Sequence, residues 1–114
     1  MQNLASKTCV PCEGGTPPLD KKQIVAYLNE LGSNAAWSHA YEEGAEKIRR
    51  QLQFKDFTAA MNFVNKVAAL AERESHHPDI HIWYNKVLVV LWTHAVKGLT
   101  ENDFIMAAKI NALA

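Results

Sequence analysis

Six consecutive apolar residues, Val87-Leu88-Val89-Val90-Leu91-Trp92, constrain the fold more than any other feature of this chain. The run is far short of the roughly 20 residues that cross a bilayer. Its β-branched content suits a strand, and its lack of alternation means that both faces of that strand are buried, as in the centre of a sheet. Such a strand needs partners on both edges and a layer packed against it.

The rest of the chain supplies both. Trp37, His39 and Tyr41 alternate with Ser38, Ala40 and Glu42. Beyond a turn at Glu43-Gly44, Ile48, Leu52 and Phe54 share one parity, and Arg49, Gln51, Gln53 and Lys55 take the other. This is a hairpin with one dry and one wet face, and Arg50 is the one polar residue on the dry parity. Ile80, Ile82 and Tyr84 alternate with His81 and Trp83, and Asn85-Lys86 offers a tight turn into the apolar run. Asp20 with Gln23 forms a capping box ahead of Ile24, Tyr27, Leu28 and Leu31, one helical face, and Gly32 suits the end. Asp56 caps a longer helix striped by Phe57, Ala60, Met61, Val64, Val67, Ala68 and Ala71. Pro78 stops that helix by holding His77 extended. After Gly98, Thr100 and Asp103 open a last helix. The expected fold is α+β, in the order α-β-β-α-β-β-α, with a single four-stranded antiparallel sheet and three helices on one face. Residues 1–18, with Pro11, Gly14, Gly15, Pro17 and Pro18, read as an irregular arm, and 19–114 as one domain.

Charge narrows the function classes. Twelve Lys and Arg balance twelve Asp and Glu over 114 residues, which argues against general nucleic-acid binding. The N-terminus lacks the apolar core of a signal peptide. Cys9 and Cys12 cannot build a disulfide framework, so a reducing, cytoplasmic setting is expected.

Four of the five histidines, His76, His77, His81 and His94, fall within 19 positions. Imidazole is the side chain whose ordinary pKa suits proton transfer near neutrality. Glu72 lies four residues before His76, so on a continuing helix the two share a face and the carboxylate fixes the tautomer. Pro78 sends His77 in another direction, and His94 stands where the apolar strand gives out. Their spacing matches no standard zinc pattern, so no metal is expected. His39 and His81 read as surface or core histidines. Asp103 reads as a helix cap, Cys9-x-x-Cys12 as part of a flexible arm, and Trp83 and Trp92 as core or interface residues. Trp83 is also near enough in sequence to the histidines to flank a ring.

One long pattern joins these residues: Glu72, three residues, His76-His77-Pro78, five residues, Tyr84, nine residues, His94, eight residues, Asp103. It resembles the signature of the pterin-4a-carbinolamine dehydratase family, as do Phe54-Lys55-Asp56-Phe57, Tyr84-Asn85-Lys86-Val87, Gly98-Leu99-Thr100 and the arm Cys9-Val10-Pro11-Cys12-Glu13-Gly14-Gly15. Trp37 follows Ala36 where the family usually has Gly-Trp. The resemblance implies removal of water from a 4a-hydroxytetrahydropterin, the state in which aromatic amino-acid hydroxylases leave the pterin. Hydroxide leaves poorly without a proton, and the ring N5–H must be lost, so an imidazole acid and base suffice. By the same resemblance His76, His77 and His94 form the acid–base set. Glu72 orients His76, and Pro78 and Asp103, which belong to the pattern, border the substrate together with Trp83, placed there by its nearness in sequence to the histidines. No cofactor is implied, since the pterin is the substrate. The implied assembly is a homodimer or homotetramer, with a hydroxylase in the same pathway. Some relatives act instead as non-catalytic dimerisation or assembly cofactors, and that interaction role is the alternative.

Overall fold

The computed structural model describes residues 4–10, 17–32 and 37–114. Its elements run α1 (Lys21–Leu31), β1 (Ser38–Glu42), β2 (Ala45–Gln53), α2 (Phe57–Glu74), β3 (Asp79–Trp83), β4 (Lys86–Leu91) and α3 (Glu101–Leu113). The four strands form one antiparallel sheet in the order β1-β2-β4-β3. The α+β class and the element order are those expected.

The apolar run becomes β4, flanked on both edges, and its two faces are buried by different means. Val87, Val89 and Leu91 are fully buried in one cluster with Phe63 and Val67 of α2 and Phe104 and Ile110 of α3. Leu88 and Val90 point the other way and stand outside that cluster, yet are only 8% and 7% exposed. Their cross-strand neighbours Gln51, Arg49, His81 and Asp79 cover them. Long polar side chains can shield apolar surface with their stems while the heads stay wet.

Local signals hold at most boundaries. Asp20 and Gln23 exchange both capping bonds at 2.9 Å, and Tyr27 stacks on Phe104 at 5.0 Å. Glu43 and Gly44 both take positive φ, 54° and 80°, the primed turn that matches strand twist. The second turn falls one residue earlier than expected, at Tyr84-Asn85. Asn85 is pinned to Phe54 by two bonds, at 2.7 and 2.9 Å, so Lys86 is already in the ladder opposite Trp83 and Gln53. The buried arc of α2 is also rotated. Phe63 and Leu70 are inside, whereas Phe57 is 49% exposed and Ala68 is exposed. Phe63 is drawn inward by Phe54, 5.1 Å away.

Residues 4–10 of the arm pack against the core. Leu4 is 4% exposed within the main cluster, Lys109 donates to the Ala5 carbonyl at 2.8 Å, and Lys7 pairs with Glu101 at 2.8 Å. Gly98 lies so close to Pro18 that a Cβ there would sit 2.9 Å from the proline Cβ. Cys12, Gly14 and Gly15 fall outside the described residues.

Candidate active site

The end of α2 decides where the histidines go. The helix stops at Glu74, well before Pro78 acts, because Ser75 turns left-handed at φ 54°. The Ser75 and His76 N–H groups both point to the Ala71 carbonyl, a local satisfaction of the helix end. His76 therefore does not continue the helical face of Glu72, and the expected Glu72–His76 pair does not form. The turn swings His76 inward, where its Nε2 meets Asp103 Oδ1 at 2.7 Å. Glu72 instead meets His77 Nε2 at 2.5 Å.

Those two pairs differ in kind. The His76 side chain is 11% exposed and Asp103 fully buried, whereas His77 and Glu72 are 60% and 78% exposed. Asp103 also accepts from the Thr93 hydroxyl at 2.8 Å and from the Thr100 N–H at 3.0 Å. It caps α3, as expected, and also holds His76, which the spacing did not suggest. A carboxylate only accepts, so three donors around it require His76 to carry its proton on Nε2. Nδ1 is then the ring's accepting nitrogen.

His94 arrives from the other direction. β4 ends at Leu91, and a bridge between Thr93 and Gly98 closes a short loop. Within that loop His94–Val96 make a single tight turn, ended by Lys97 at φ 52°. His94 stacks on Trp92 with ring centres 3.8 Å apart, and the Trp92 indole N–H donates to Asp79 at 3.1 Å.

His76, His77 and His94 line one hollow of about 580 Å³, within the range of small-molecule sites. Trp92 and Thr93 continue its wall, and the arm closes one side through Thr8, Cys9 and Val10. Asn102 staples the arm there, accepting from the Val10 N–H at 3.0 Å and donating to its carbonyl at 2.5 Å. Glu74 accepts from the Cys9 N–H at 2.9 Å. Burial, then the Glu74 charge, pushes the Cys9 thiol up to about 12. Among the described residues no three His, Cys, Asp or Glu side chains are disposed to hold a metal ion.

The remaining predicted residues lie elsewhere. Trp83 is 52% exposed and does not line the hollow; it sits beside His81 at a ring separation of 6.3 Å. It occupies the far end of β3, about 13 Å from the end that meets the site at 3.3 Å per residue. Pro78 directs His77 but is not itself in the wall. Wall residues to which the sequence assigned no place in the site include Thr8, Val10, Arg73, Glu74 and Asn102, and Trp92, expected in the core or an interface, also lines it. Only Trp92, one step before Thr93-His94, carried a local hint.

The chain is similar in sequence and in fold to known proteins. A sequence model described as pterin 4 alpha carbinolamine dehydratase matches residues 17–113. A protein of Rickettsia bellii, provisionally named pterin-4-alpha-carbinolamine dehydratase, is 48% identical over 111 residues, covering 97% of this chain and 94% of its own. The crystal structure of a transcriptional coactivator/pterin dehydratase from Brucella melitensis superposes with a TM-score of 0.76 at 38% identity, over 85% of this chain and 98% of that one. A pterin dehydratase-like protein identified as a RuBisCO assembly factor in the alpha-carboxysome shares the fold, with a TM-score of 0.60 at 24% identity over 69% and 89%.

Proposed function

The chain belongs to the pterin 4 alpha carbinolamine dehydratase family, and from that premise we propose that it dehydrates a 4a-hydroxytetrahydropterin to the quinonoid dihydropterin by histidine acid–base catalysis. The observation that carries the reading is the buried Asp103–His76 pair beside a hollow that also holds His77 and His94. His94 gives a proton to the 4a hydroxyl as the C4a–O bond breaks and water leaves. The N5 lone pair closes the new C=N bond, and the N5 proton passes to Nδ1 of His76. His77, at the exposed rim with Glu72, exchanges protons between the site and solvent and resets the pair. Each assisted transfer contributes about 10²–10⁴ in rate, roughly 3–5 kcal/mol of barrier.

Stopped-flow decay of chemically generated carbinolamine tests this. Wild-type protein is expected to accelerate decay well above the buffer rate, and His94→Ala to lose at least roughly tenfold while keeping its fold. Unchanged decay in His94→Ala and His76→Ala overturns the assignment. The names of the two solved relatives favour a second reading as a coactivator or assembly module. A stoichiometric protein partner together with absent dehydration would support it.

A further inference from the structure

Lys47 is the anomaly of the sheet. Its side chain is 6% exposed, and lysine is almost never so buried without a partner. The carboxylate it meets, Glu43 at 3.7 Å, is 87% exposed, and such a surface pair contributes little. Lys47 lies on the face of the sheet away from the helices, and the Ile48–Leu91 pairing puts it across from Trp92, one step beyond the last rung. Its ammonium sits 4.6 Å from the centre of the Trp92 ring. The His94 imidazole stacks on the same indole, 3.8 Å from the Trp92 ring centre. The cation and the imidazole are therefore both in contact with one indole.

We propose that Lys47 is a positioning residue for His94, acting through Trp92. The ammonium loads one π-face by a cation–π contact, an interaction that strengthens when the ion is desolvated. Asp79 fixes the indole edge through Nε1. Edge and face together set the tilt of the plate on which His94 rests. His94 itself stands on a short, exposed turn, so the plate supplies its orientation. Lys47 does not line the hollow and touches no substrate. The consequence for turnover rests on the role proposed above for His94; the effect on the ring does not.

The test pairs NMR with turnover. In wild-type protein the His94 ring protons, assigned by their loss in His94→Gln, are expected well upfield from the indole ring current. Lys47→Met keeps length and apolar bulk but removes the charge. It is expected to collapse most of that displacement and to lower kcat roughly tenfold, since small misplacements of a reacting group are costly, with KM little changed. Lys47→Arg, which restores a cation over the ring, is expected to recover both. A displacement that persists in Lys47→Met, or one that Lys47→Arg fails to restore, overturns the proposal. Wild-type protein that dehydrates nothing, with the NMR behaving as stated, leaves the positioning intact and overturns the dehydratase reading instead.

Discussion

Replacing Asp103 by asparagine separates chemistry from stability at this site. Asp103 is fully buried and satisfies three donors: His76 Nε2–H, the Thr93 hydroxyl and the Thr100 N–H. Asparagine keeps the shape but has one accepting oxygen and one donating amide. If its oxygen faces Thr93 and Thr100, its NH₂ faces His76, and the only way to bond is for His76 to give up the Nε2 proton. The imidazole then carries its proton on Nδ1, and the lone pair offered to the substrate is gone. The expected loss is that of a general base, about 10²–10⁴ in kcat. The structural cost is smaller, because every buried group can still find a partner after the tautomer switch. Weakened charge-assisted bonds cost about 1–3 kcal/mol, and each kcal/mol lowers Tm by roughly 4–8 °C in a domain of about this size. The protein should therefore be folded at 25 °C and catalytically crippled. Stopped-flow decay gives kcat, a thermal melt gives stability, and long-range nitrogen–proton correlation spectra report which His76 nitrogen is protonated. Activity within about threefold of wild type, or an unchanged His76 tautomer, would show that Asp103 does not set the base form of His76.

Other outcomes follow from the arm and its anchors. Asn102→Ala removes both bonds to Val10 and so frees one wall of the hollow; KM should rise severalfold with kcat nearly unchanged, and an unaltered KM would show that the wall does not touch substrate. In a Cys12→Ser background, Cys9, with its thiol pushed up to about 12, should alkylate at pH 8 on the order of 10³ times more slowly than an ordinary cysteine of pKa near 8.5; reaction at the free-thiol rate would contradict its burial. Glu101 is held below the usual carboxylate range chiefly by its bond to Lys7, with the Tyr27 hydroxyl helping. Its folded value lies below its unfolded one, so its contribution is present above about pH 4.3 and is lost as pH falls through the depressed value. Amide-exchange protection in residues 4–10, taken relative to the intrinsic exchange rate at each pH, should fall over that acid window, and Glu101→Gln should abolish this change; identical protection profiles in both proteins would rule out the anchor.

Much of the site is legible from spacing because the pattern is anchored to element ends. Pro78 bars His77 from helical geometry, and the apolar run must stop near Trp92, so His76, His77 and His94 all fall where elements end. What misled was the assumption that α2 persists to His76. An i, i+4 pairing is a property of an unbroken helix, and one left-handed residue, Ser75, exchanges the partners of both imidazoles. No local signal announces that turn, since serine carries no strong preference for positive φ. Trp83 misled differently. Nearness in sequence to the histidines means little along a strand, which carries each residue about 3.3 Å further away.

The α-β-β-α-β-β-α order and the placing of β4 at the centre are local properties of the chain, because periodicity, caps and turn residues act within a few positions of one another. So is the capping role of Asp103, a contact of three residues' reach. That this same carboxylate holds His76, that Asn102 staples Val10, and that Lys47 meets the Trp92 ring all depend on how the elements pack. Those partners are separated by 27, 92 and 45 positions. Side chains so far apart along the chain meet only after the sheet has registered and the helices have packed, and no pattern within either segment encodes the meeting.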